Sequence, residues 1–102
     1  MRIKFERSGG FAGMLLTGLF NLDQMDEKQS RELRELLDQA DFRKLPEQIV
    51  SNAPVPDQFT YTISVETKEW QHSVITGDTS APPELQPLLQ TLSKLARSQA
   101  WK

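Results

Sequence analysis

QFTYTISVE, residues 58–66, decides the plan of this chain. Phe59, Tyr61, Ile63 and Val65 alternate with Thr60, Thr62, Ser64 and Glu66. That period of two, carried by β-branched and aromatic residues, specifies a strand with one buried face and one wet face. TKE at 67–69 turns the chain, and WQHSVIT at 70–76 returns as a partner strand. GDTSAPP, residues 77–83, follows as a loop whose prolines, Pro82 and Pro83, suit the first turn of a helix. Leu85, Leu88, Leu89, Leu92 and Leu95 then recur at helical spacing and form an apolar stripe.

Read backwards from residue 58, the chain repeats this order. VSNAPVPD, residues 50–57, is an irregular connection stiffened by Pro54 and Pro56. Before it, Asp26 caps a helix, and Gln29 three residues later completes a capping-box pattern. Leu33, Leu36, Leu37 and Ala40 supply the inner face, while Glu32, Arg34, Glu35 and Asp38 face water. DFRKLP at 41–46 ends the element, with Phe42 and Leu45 turning into the core. At the start, RIKFER sets Ile3 and Phe5 against Arg2, Lys4 and Glu6, a half-buried strand. GMLLTGLFNL, residues 13–22, continues as a second strand, joined to the first by a wide glycine-rich hairpin loop.

That second strand is apolar on both faces. Met14, Leu16 and Phe20 supply one, and Leu15 and Leu19 the other. The expectation for so small a domain is a central strand covered on both sides. The alternative is an exposed patch that meets a partner.

The order is therefore β-β-α-β-β-α. It implies one α+β domain over residues 1–102, with two helices on one face of a four-stranded antiparallel sheet and residues 97–102 frayed. The halves share no motif, so this is not a repeat family. If each element spans the domain once, the hairpin loop, VSNAPVPD and GDTSAPP gather at one end of the sheet. Binding surfaces are often built from such loops.

Composition excludes several functions. Twelve basic against fourteen acidic side chains leave a net charge of −2, so no basic field exists to bind nucleic acid. With no cysteine there is no disulfide framework and no thiolate chemistry. The apolar run after residue 12 is far shorter than the ~20 residues of a membrane span. It is also separated from the basic MRIK start and followed by no small-residue cleavage site, so a cytoplasmic protein is expected.

The chemistry of known sites is missing as well. SGGFAG resembles a phosphate-binding glycine fingerprint, but that chemistry needs a helix N-terminus directly afterwards, and here a strand follows. His72 is the only histidine, and a zinc site needs three or four ligands. No G-x-S-x-G elbow presents a serine to it. His72 is expected to be a partly buried strand residue bonded to a neighbour, and Trp70 and Trp101 to be packing residues. The expectation is a binding module, with no catalytic residue, no metal and no cofactor.

RIKFERSGGFAG near the start, ADFRKLP after a helix, DQFTYTISVE in a strand, HSV soon after and PPELQPLLQTL in the closing helix occur in this order. In these the chain resembles the emfourin family, small protein inhibitors of protealysin and related thermolysin-like metallopeptidases. The resemblance runs from residue 1 to about 95, and RSGGFAG is its most specific part. It implies a bacterial, cytoplasmic inhibitor, monomeric when free, whose partner is a thermolysin-like zinc peptidase.

Such enzymes bind substrate extended in a cleft over the zinc, with an apolar pocket for the residue after the scissile bond. Under the resemblance, Ser8, Gly9, Gly10, Phe11, Ala12 and Gly13 form the inhibitory loop. Gly9 and Gly10 supply backbone freedom near the metal, Phe11 a plug for the pocket and Ser8 a hydroxyl. Pro54, Pro56 and Asp57 add secondary contacts, with GDTSAPP at the rim. Taken without the family, the same residues read as plain hairpin geometry, with Phe11 folded inward. A rival function is a protein-interaction or homodimerising module that uses the apolar second strand.

Overall fold

A computed structural model of the chain describes residues 1–9, 14–49, 59–77 and 80–100. In chain order they form β1 (Arg2–Gly9), β2 (Met14–Asn21), α1 (Glu27–Gln39), a 3-10 turn (Phe42–Lys44), β3 (Gln48–Ile49), β4 (Phe59–Glu66), β5 (Gln71–Gly77) and α2 (Gln86–Ala100). The sheet order is β2-β1-β4-β5-β3. Every pair is antiparallel except β3 with β5. The architecture is α+β, with helices on one face as the alternation demands.

The inner face carries Ile3 and Phe5 of β1, Phe20 of β2, Tyr61, Ile63 and Val65 of β4, and Val74 of β5, all buried. They meet Leu33 and Leu37 of α1 and Leu88, Leu89, Leu92 and Ala96 of α2 in one core. Phe5 and Tyr61 form a tilted aromatic pair with ring centroids 6.1 Å apart. On the outer face Arg2, Lys4, Thr17, Thr60, Gln71 and Ser73 are exposed.

Local signals place the helices as the sequence predicts. The Asp26 side chain accepts the Gln29 N–H at 3.4 Å, capping α1. Asp41 adopts the left-handed conformation, φ 54°, just past the helix, and tips Phe42 into the core. Two backbone bonds, from Leu85 to the Pro82 carbonyl and from Gln86 to the Pro83 carbonyl, lead into α2. The prolines thus sit in a turn ahead of the helix, and α2 extends past residue 97 to Ala100.

Two expectations change. The sheet has a fifth strand: β3 pairs parallel to β5, Gln48 with Ile75 and Ile49 with Thr76. Two residues cannot show a period, and β3 is held by contacts from β5. The Ile75 N–H donates to the Glu47 carbonyl at 2.8 Å, and the Thr76 hydroxyl donates to the Ile49 carbonyl at 2.8 Å.

The other change concerns β2, which is an edge strand and not a central one. Its outer face is not covered: Leu15 is 63% and Leu19 66% exposed. Two apolar faces in a strand fit either position. The position was settled elsewhere, by β4 pairing with β1 on the side away from β2. On the inner face Gly18 carries no Cβ, so the Phe20 ring and Ala96 of α2 close directly over the strand.

Candidate functional site

The register brings five strand ends to one end of the sheet. Gly9, the last residue of β1, pairs with Met14 on one side and Phe59 on the other. Thr60 pairs with Gly77, the last residue of β5. Because β3 runs parallel to β5, Ile49 lies beside Thr76 at this same end. Residues 10–13, 50–58 and 78–79 therefore all attach to the sheet here, and the connection from β3 to β4 begins and ends at this side.

Of the sequence-predicted loop residues, Ser8 and Gly9 are described. Ser8 stands between Leu15 and Thr60 in the register, and Gly9 has φ 100°, which a side chain would strain. The chain thus turns out of β1 at a position suited to glycine. Gly10, Phe11, Ala12 and Gly13 lie outside the described residues, as do Pro54, Pro56, Asp57 and Trp101.

A hydroxyl pair anchors the far side of this end. The Ser80 hydroxyl accepts the Gly77 N–H at 3.0 Å and donates to the Ile49 carbonyl at 2.9 Å. Thr76, fully buried, bonds that carbonyl as well. Together they tie the exit of β5 to the exit of β3. The sequence offered one sign of this, a threonine at an inward strand position beside Val74. Near the hairpin, the Arg7 guanidinium stacks over the Phe59 ring, 4.5 Å from its centroid.

Among the described residues no group of side chains is assembled for bond cleavage. His72 Nε2 lies 2.7 Å from the Leu45 carbonyl, and its ring meets Phe42 edge-on at 5.6 Å. The imidazole is occupied in holding the segment before β3 against β5. Trp70 packs against the core with Arg43 stacked on it at 4.9 Å. Among the described residues no three His, Cys, Asp or Glu side chains are grouped to hold a metal ion. No helix among them is long and apolar enough to cross a membrane.

The sequence model of the Emfourin family matches residues 5–93, most of the chain and both halves of the fold. The chain belongs to the emfourin family. Comparison with curated proteins and with solved structures finds no match. Emfourins are non-enzymatic inhibitors of protealysin-like metallopeptidases of the thermolysin type, and the partner class of this emfourin follows from membership. The match begins inside β1 and ends inside α2, so the whole loop-bearing end of this emfourin lies within it.

Proposed function

We propose that this emfourin inhibits its peptidase by occluding the active-site cleft with the glycine-rich hairpin loop, Ser8 to Gly13. Pro54, Pro56 and Asp57 make secondary contacts from the neighbouring connection. One observation carries the reading. The strand ends flanking these segments converge on one end of the sheet, with Gly9 beside Phe59 in the register. A loop fixed at both ends by strand pairing loses little freedom on binding and stays in place if nicked. A small, glycine-bearing turn also approaches a metal cleft more closely than a bulky one.

Titration of a protealysin-like enzyme with the inhibitor, followed by cleavage of a fluorogenic peptide, tests the proposal. Phe11→Ala removes the plug, and truncation of an anchoring aromatic commonly costs ~2 kcal/mol, about thirtyfold in affinity. Gly10→Arg adds bulk at the approach. Both should weaken inhibition with melting temperatures near that of the parent. A Phe11→Ala protein that inhibits like the parent would move the contact to residues 50–58.

The rival reading rests on the exposed Leu15 and Leu19. Under it β2 docks a second copy or another protein, and sedimentation would show concentration-dependent association of the free chain. The inhibitor reading expects a monomer that forms a defined complex with the peptidase.

A further inference from the structure

We infer that Arg7 and Phe59 form a clamp that holds the base of the glycine-rich hairpin in its binding shape, which makes Arg7 a positioning residue for inhibition. The inference rests on the loop reading above. Arg7 pairs in register with Leu16 of β2 and Tyr61 of β4, two residues before β1 ends. Its guanidinium lies 4.5 Å from the centroid of Phe59, the diagonal neighbour one step nearer the loops. Directly opposite Phe59 in the register stands Gly9, with positive φ and no side chain.

The surroundings of this arginine are unusual. Its Nε is buried and has no hydrogen-bond partner among the described residues. A guanidinium N–H taken out of water is normally met by a carboxylate or a carbonyl. None of the ion pairs found among the described residues uses Arg7. Among the described residues charge balance therefore does not account for the placement. The aromatic face does, since its quadrupole attracts a planar cation, and part-burial strengthens the attraction.

The clamp joins two segments that matter for the loop reading. Arg7 leads into residues 10–13, and Phe59 is the first residue of β4 after 50–58. One contact thus ties the bases of both. Without it the terminal pairs of β1 with β2 and β4 open more often, as strand ends with few fixed contacts do. The loop must then be ordered on binding, and affinity falls.

The test compares Arg7→Met, Phe59→Leu, Phe59→Tyr and the Arg7→Met/Phe59→Leu double variant, with Phe11→Ala alongside. Inhibition of a protealysin-like enzyme and amide exchange of the free inhibitor are both read. Arg7→Met and Phe59→Leu should each raise the inhibition constant about five- to thirtyfold, the range of a part-buried cation–π contact. Phe59→Tyr keeps the aromatic face and should stay near the parent. The double variant should be no weaker than the weaker single one, because each removes the same contact. Exchange should speed up at Ser8, Gly9, Leu15 and Leu16 and hold steady in the middle of β4.

If Arg7→Met fails to fold, the Phe59 pair decides the matter alone. The inference is overturned if Phe59→Tyr is as weak as Phe59→Leu, or if the two single effects add. It is also overturned if Arg7→Met inhibits like the parent while Phe11→Ala does not. If neither weakens inhibition, the loop reading falls. Exchange then decides the clamp, faster exchange sustaining it and unchanged exchange refuting it.

Discussion

Gly18→Ala puts a methyl group between the Phe20 ring of its own strand and Ala96 of the covering helix. An ideal Cβ built on Gly18 would lie 2.7 Å from Phe20 Cζ, 2.9 Å from Phe20 Cε2 and 3.1 Å from Ala96 Cβ. Carbon atoms prefer about 3.5–4.0 Å, so the ring must retreat by roughly 1 Å. Phe20 is only 3% exposed and Ala96 is fully buried, so a shift of either disturbs packed neighbours. Overpacking of this kind costs about 1–3 kcal/mol. Loss of glycine's freedom in the unfolded chain offsets about 0.4–1 kcal/mol of that. A net loss of about 1–2 kcal/mol corresponds to a fall in Tm of roughly 5–15 °C in a domain of this size. Circular dichroism melts of parent and variant measure it. Phe20→Leu in the same chain shortens the ring away from the new methyl, so the double variant should lose less than the sum of the two changes. A Gly18→Ala protein melting within 2 °C of the parent, or above it, would show that the Phe20 ring and Ala96 do not close over Gly18 as described.

Three further outcomes are expected. Leu15→Lys should shift stability by no more than about 0.5 kcal/mol, because the side chain is 63% exposed, and a melt within a few degrees of the parent checks this. His72→Ala should leave inhibition intact while lowering stability by about 1 kcal/mol, the net worth of the bond to the Leu45 carbonyl, as urea unfolding would show. A protealysin-like enzyme should be inhibited and trypsin left active, since the family acts on one peptidase class. Comparable inhibition of both in parallel assays would contradict the assignment.

Much of the fold was legible because periodicity is a local property. The alternation through 58–66 and the leucines of α2 each point to one face, whatever packs there. Asp26 and Gln29 could be recognised as a cap because the bond spans only three residues. His72 could be demoted as a catalyst by counting partners, and the loop of Ser8 to Gly13 stood out by composition and by family likeness. These readings need only neighbours along the chain.

Strand order and coverage depend on contacts between residues distant in sequence, and only the tertiary structure decided them. The sequence of β2 fits a centre or an edge equally well. β4 took the far side of β1, and Leu15 and Leu19 were left facing water. The two-residue β3 exists because Thr76 and Ser80 hold the Ile49 carbonyl, 27 and 31 residues away in sequence. The meeting of Arg7 with Phe59, across 52 residues, follows from the register of β1 on β4. A pattern along the chain states which face is apolar. What covers that face is set by which distant segments gain most by pairing, and that comparison is made only in three dimensions.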